Sequence, residues 1–239
     1  MSSGTERLRD AGHRAERATT ILDVAADLLL RHGYRRVTID DVAAGAKIGK
    51  GTVYLHWKTR EQLFSAVFER EVLCAIDELR HALRQDPQVC LLHRFARTYF
   101  LAIVNRPLLR GFLLADPELL GRLATSHETT RDDRHIAMSR AFLELLAGHG
   151  LLRDDMDADQ IRYAYQATFE GFLQQEAAAP ADGVDQRADL LAQTVRRAFE
   201  SDRTAPDAEL RSVAAAVITL LTDLIDADRA GSGPHWDAD

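Results

Sequence analysis

The stretch from Val37 to Phe64, VTIDDVAAGAKIGKGTVYLHWKTREQLF, constrains this chain more than any other. Thr38 followed three residues later by Asp41 is a capping-box-like helix start, in which the hydroxyl accepts an orphan backbone N–H and the acids face the positive helix end. Ile39, Val42 and Ala43 recur at helical spacing behind it. Gly49 and Gly51 break the pattern before a second short run, Thr52 to Trp57, whose Val53 and Trp57, four residues apart, are expected to face inward. Thr52, Tyr54, Leu55 and His56 then point elsewhere, bracketed by Lys50 and Lys58. A polar and aromatic face of this size between two lysines has the chemistry of a surface that sits in a major groove between phosphate strands. The stretch reads as a helix-turn-helix.

Lysine usage sharpens the reading. The 239 residues hold only three lysines among 30 basic residues, and all three, Lys47, Lys50 and Lys58, fall within twelve positions. A chain that otherwise uses arginine keeps compact point charges here, as phosphate positioning favours. The competing reading is a chance cluster on a solvated turn.

At these residues the segment resembles the DNA-binding domain of the TetR/AcrR transcriptional regulators. The likeness runs from the helix near Thr20 through RHGYRRVTIDDVA and GKGTVYLHW to TREQLF and includes the order of three helices. It implies that Thr38 caps the second helix near a phosphate, that Lys50, Gly51, Thr52, Tyr54 and His56 line the groove, and that Lys58 contacts backbone where the fourth helix begins. Two positions depart from the family pattern: Lys47 stands where a turn glycine is common, and Gly49 where a serine cap is common. A lysine with positive φ costs on the order of 1 kcal/mol or more, so either the turn differs or Gly45 and Gly49 relieve it. Lys47 is retained as a candidate DNA contact.

Charge divides the chain. Residues 1 to 70 carry 12 Lys+Arg against 9 Asp+Glu and the remainder 18 against 28, a basic end on an acidic body within a net charge of −7. A DNA-binding head on a body kept away from phosphates shows this distribution. No run of eighteen apolar residues is present and the first residues lack an apolar signal core, so no membrane partner is expected and the expected location is cytoplasmic. Cys74 and Cys90 read as small reduced core residues rather than a disulfide or metal pair.

No segment alternates with strand periodicity, so the fold class is all-α, some nine or ten helices, with a three-helix helix-turn-helix head on a larger helical body for ligand binding and dimerisation. The expected divisions are a flexible arm at 1–18, disordered or a frayed helix, the head at 19–65, the effector-binding and dimerisation body at 66–228, and a flexible tail at 229–239. A helix starts near Thr19 or Thr20 and stops at Gly33; a long helix runs from Thr59 to about Arg84 and links head to body. Short helices are expected near 107–115 and 117–126, and a longer one from about Thr129 to Gly148. In the helix after Asp157, Ile161, Tyr165, Thr168 and Phe172 form an apolar stripe, and Ala164, Ala167 and Gly171 a neighbouring stripe of small residues that permits close helix approach. The last helix, from Asp207, is apolar over a face wider than a half-exposed helix needs and wants partners on two sides.

The resemblance and these stripes together imply a homodimer, with Ala164, Ala167, Gly171, Val217, Leu221 and Leu224 as candidate interface residues. They also imply a small-molecule effector, held where His135, Met138 and Phe142 face Tyr99, Tyr165, Thr168 and Phe172, aromatic walls with a few polar atoms. Double-stranded operator DNA is the expected macromolecular partner. No HExxH, nucleophile elbow, P-loop or paired-carboxylate spacing appears, so no enzyme, metal or cofactor is expected. Glu170 falls beside Arg162 and Gln166 at a solvated position. An effectorless, architectural DNA-binding protein is the alternative function, because an effector pocket has no sequence motif, and an enzyme on a helical scaffold is the more distant one.

Overall fold

The structure is a computed structural model that describes residues 2–113, 129–176, 178–179 and 182–231. Its elements are α1 (Ser2–His32), α2 (Ile39–Gly45), α3 (Lys50–His56), α4 (Arg60–Gln85), a 3-10 turn (Pro87–Cys90), α5 (Leu92–Val104), α6 (Pro107–Leu113), α7 (Thr129–Gly148), α8 (Ala158–Glu176), α9 (Val184–Phe199) and α10 (Asp207–Gly231). No strand occurs among the described residues, and no helix there is long and apolar enough to cross a membrane. The chain divides into two compact units, one up to Glu71 and one built from Val72–Arg110 with the described residues from Thr129 onward. The expected helix near 117–126, and Trp236 in the tail, lie outside the described residues.

The first unit is held by one face of α1. Ile21, Ala25 and Leu29, at i, i+4 and i+8, are fully buried, with Val42, Val53, Phe64 and Val67 also at zero exposure. The helix does not start at Thr19 or Thr20. It runs from Ser2, and the two hydroxyls turn back onto the carbonyls of Ala15 and Glu16 at 3.1 and 3.0 Å, which satisfies them in mid-helix. The upstream arm is therefore helical rather than disordered. Gly33, at φ 72°, ends α1 with its N–H on the Leu29 carbonyl. Arg60 then pins the α1–α2 connection to α4: its guanidinium lies 4.0 Å from the Tyr34 ring centroid and donates to the Tyr34 carbonyl.

The turn between α2 and α3 keeps the geometry that glycine normally serves, with Lys47 in the left-handed position at φ 56°. Its N–H donates to the Ala44 carbonyl and that of Ile48 to Ala43, a Schellman ending in which the left-handed residue allows both bonds. Neither neighbouring glycine relieves it. Gly49 sits at φ −73° as the N-cap of α3, and Gly45 is required for another reason: a Cβ there would lie 2.6 Å from Val24 Cγ1, where α2 meets α1. Lys47→Gly is expected to stabilise the first unit by about 0.5–1 kcal/mol, the left-handed penalty less the greater freedom of glycine in the unfolded chain. Thermal unfolding reads it, and an unchanged or lower midpoint contradicts it.

In the second unit α5 packs on α9 through Phe95, Ala96 and Phe100 against Leu191, Val195 and Phe199, all buried. Arg97 bridges the rim to Asp185 and Asp189. The wide apolar face of α10 has its partners within this unit, the 3-10 turn and α7. Cys90 is buried, its Sγ 3.8 Å from the Leu210 carbonyl, and burial pushes its thiol up to about 11. Cys74, expected in the core, is exposed.

Candidate nucleic-acid interface

Thr38 builds the capping box its sequence suggested: its N–H donates to Asp41 Oδ2 at 2.8 Å and its hydroxyl accepts from the Asp41 N–H at 3.2 Å. The Thr38 hydroxyl also donates to Asp41 Oδ2 at 2.7 Å, and this bond, followed by the one from the Thr38 N–H, holds the Asp41 carboxyl below its usual range. The short helix α2 is thus closed at its start by a side-chain capping box and at its end by paired backbone bonds. Within α3, Val53 is fully buried and is the anchor. Trp57 is not a second anchor on the helix; it is the extended C-cap, half-buried, with its ring 5.4 Å from that of His56.

With Val53 inward, the opposite surface is set by a helical period. Tyr54 and Leu55 are 38% and 63% exposed on this seven-residue helix, away from the core that Val53 enters. Gly51 is exposed and a Cβ there would meet nothing within 4 Å, so backbone lies open to a close approach. Thr52 and His56 are half-buried at its edges. Lys47 and Lys58 are exposed on either side. Lys58 is followed by a capped helix start, in which its N–H donates to Gln62 Oε1 and the Gln62 N–H to Thr59 Oγ1.

Two features of the interface had no signal in the sequence. Lys50 Nζ is held 2.9 Å from Asp40 Oδ2, across the turn, with both groups half exposed or more, and this bond raises the lysine pKa. His56 is held below its ordinary pKa, first by burial and then by the Arg14 and Arg17 charges on α1. It is therefore a neutral imidazole at neutral pH, able to donate from one ring nitrogen and accept at the other.

The candidate effector residues separate in the structure. Tyr99 stacks on Phe169 at 5.6 Å and 19°, Phe142 packs on Phe95 at 4.5 Å, and Tyr165 meets Phe169 and the edge of Phe199. Burial, and then Tyr99, push the Tyr165 phenol well up. Thr168 spends its hydroxyl on the Ala164 carbonyl at 2.8 Å, and Phe172 and Met138 are half-buried. His135 is engaged elsewhere: its Nε2 lies 2.9 Å from Asp228 Oδ2 on α10, and Arg134 donates to the other oxygen of that buried carboxylate. The buried face of α8 is Ile161, Phe169, Leu173 and Glu176, one residue round from the expected stripe. Phe95 and Phe169 are the members that sequence reasoning missed.

The candidate dimer residues divide in the same way. Val217, Leu221 and Leu224 are buried at 0, 1 and 5% exposure within their own chain, which corrects their assignment to a subunit face. On α8, Ala167 and Gly171 are exposed, Ala164 half-buried, and Tyr163 beside them is 75% exposed. Glu170 is exposed and accepts from Gln166 Nε2 at 2.8 Å, a solvated position.

An all-α chain whose first unit anchors a short helix by one valine and presents its outer face between cations defines the class of helix-turn-helix proteins. Residues 21–67 match the family model for bacterial regulatory proteins, tetR family. The head of this chain thus resembles the DNA-binding domain of TetR-family transcriptional regulators over those residues. A helix-turn-helix transcriptional regulator of Mycobacterium tuberculosis, Rv1556, is 41% identical over 63 residues, 26% of this chain and 31% of the relative. The chain thus spans about a third of the length of the curated relatives it matches. The structure of SmeT, the repressor of the Stenotrophomonas maltophilia multidrug efflux pump SmeDEF, superposes with a TM-score of 0.55 at 22% identity over 80% of this chain and 94% of that one. A SmeT–triclosan complex superposes at 0.56 and 20% identity over 80% and 96%. These likenesses show the fold alone.

Proposed function

We propose that the chain is a homodimeric repressor that binds a palindromic operator through α3 and is released by a small-molecule effector held in its second unit. The observation that carries the DNA-binding part is the exposed Tyr54–Leu55 surface over buried Val53, bracketed by Lys50 and Lys58. Tyr54 and His56 meet base edges or thymine methyls; the lysines meet phosphates. The head is the part that touches DNA, and the second unit supplies assembly and control.

Selection from a random duplex pool tests this reading, since a palindromic winner requires both DNA binding and two-fold symmetry. On the selected duplex, Lys58→Ala is expected to weaken binding to all sequences alike and to lower the salt slope by about one. Lys50→Ala should cost less affinity than Lys58→Ala, because Asp40 already neutralises Lys50 in the free protein. Tyr54→Ala should cost about 1–3 kcal/mol and relax preference at particular base pairs. Unchanged affinity in all three variants sinks the reading.

The effector reading is supported by the Tyr99, Tyr165 and Phe169 cluster, an aromatic group carrying two phenols, and by the triclosan bound to a protein of the same fold. Tyr165→Phe is the informative variant, since it removes a hydroxyl and leaves the ring contacts; Phe142→Ala also opens a core cavity against Phe95. Release of DNA requires the effector to prefer the DNA-incompetent form, and the coupling must be reciprocal.

A further inference from the structure

The outer face of α3 does not stop at its first residue. Lys50 and Tyr54, four residues apart, share one side of the helix, with the ammonium 6.0 Å from the Tyr54 ring centroid. From Lys50 the row crosses the turn to α2, where the ammonium donates to Asp40 Oδ2 at 2.9 Å. Asp40 is the second residue of α2; Ile39 and Val42 beside it are buried, and Asp41 is spent on the Thr38 capping box. Asp40 itself is exposed, and among the described residues no hydrogen bond reaches its Oδ1.

An exposed carboxylate beside α3 is repelled by a duplex, whose backbone is a row of anions. Lys50 offsets that repulsion by balancing the charge, and its bond holds the carboxyl in one place. What remains is a hydrogen-bond acceptor, which phosphate oxygens, acceptors themselves, cannot satisfy. In the major groove its matches are amino groups, N4 of cytosine and N6 of adenine. Adenine places the N7 acceptor beside its amino group, where it opposes a carboxylate; cytosine places none there, so cytosine is preferred. We propose that Asp40 is a base-reading residue, its Oδ1 accepting from the N4 amino group of one cytosine in each half-site while Lys50 holds it in place. The ammonium has three donors, so holding Asp40 leaves others for the phosphate assigned to Lys50 above. The inference rests on the DNA-binding reading and adds a reader on α2 to those on α3.

Asp40→Asn is the informative variant, because asparagine pairs with adenine N6 and N7 where aspartate accepts from cytosine. The full chain, as wild type, Asp40→Asn, Asp40→Ala and Lys58→Ala, selects duplexes from a random pool, and each protein is then titrated with the wild-type winner and with duplexes changed at single base pairs. The wild type is expected to demand a C·G pair at one position of each half-site, and Asp40→Asn to move that preference to A·T. Asp40→Ala should lose it, cutting discrimination at that pair by about 5- to 150-fold and leaving the other positions alone. The Thr38–Asp41 capping box is untouched in every variant, so the thermal midpoint should stay that of the wild type. Asp40 variants that bind every duplex more tightly, steepen the salt slope by about one and keep the wild-type base preferences make Asp40 a charge-balancing residue and overturn the inference. If Lys58→Ala still lowers the slope in that case, the DNA-binding reading stands without it. A wild type that selects no duplex removes both.

Discussion

Leu221→Glu is expected to unfold the second unit rather than separate two folded chains. Leu221 is 1% exposed on α10, between Val217 and Leu224, and the face they form is covered by the 3-10 turn and α7 of the same chain. The substitution removes a buried leucine, worth about 2–5 kcal/mol, and leaves a carboxyl with no partner in an apolar layer. The sum approaches the entire stability of a domain of this size, about 5–15 kcal/mol. Far-UV helicity and the cooperativity of thermal unfolding check it. A Leu221→Glu protein that stays fully helical and merely sediments as a monomer would return α10 to the subunit face.

Gly171→Leu is the complementary case, with a large effect expected on assembly and almost none on folding. A side chain at Gly171 meets nothing within 4 Å, and it stands on the exposed side of α8 with Ala167 and Tyr163. Leucine there raises helix propensity by about 0.8–1 kcal/mol relative to glycine, so the isolated chain gains stability if anything. In the proposed homodimer the small stripe allows close approach of α8 from two chains, and the exposed Leu190 of α9, the helix packed next to it, widens the apolar surface. A leucine then holds the helices apart. Sedimentation should shift from dimer to monomer, and affinity for a palindromic duplex should fall by about 10²–10⁴, the avidity lost when two half-sites are no longer engaged together. Identical sedimentation and affinity in the variant would make the stripe an ordinary solvent-facing surface.

The two variants differ because amphipathicity says that a helix buries a face but not against what. α10 carries a face wide enough for two partners, and its partners are in its own chain. In α8 the apolar stripe was legible, but its centre was not. Thr168 satisfies its hydroxyl on its own helix, Glu176 enters the core because Arg187 forks onto both its oxygens, and Phe169 takes the central place because Tyr99, Phe100 and Tyr165 converge on it. Each of those partners is at least four residues away and most lie on other helices.

Local chemistry was legible where its range is one turn of helix. Thr38 with Asp41 and the stop at Gly33 are interactions within four residues, and the structure contains them as the spacing implied. The all-α class and the helix-turn-helix follow from the same short-range pattern. Three features were decided by tertiary structure alone. Lys47 occupies the left-handed turn because the close packing of Gly45 on Val24 and the paired backbone bonds fix that turn whatever residue fills it. Asp40 neutralises Lys50 because the turn folds α3 back across ten residues. After burial, the Arg14 and Arg17 charges lower the His56 pKa, and they stand there because α1 continues past the core it helps to build. Helical period, caps and charge are properties of neighbours along the chain, whereas the partner of a face or a charge depends on which distant residues the fold brings to it.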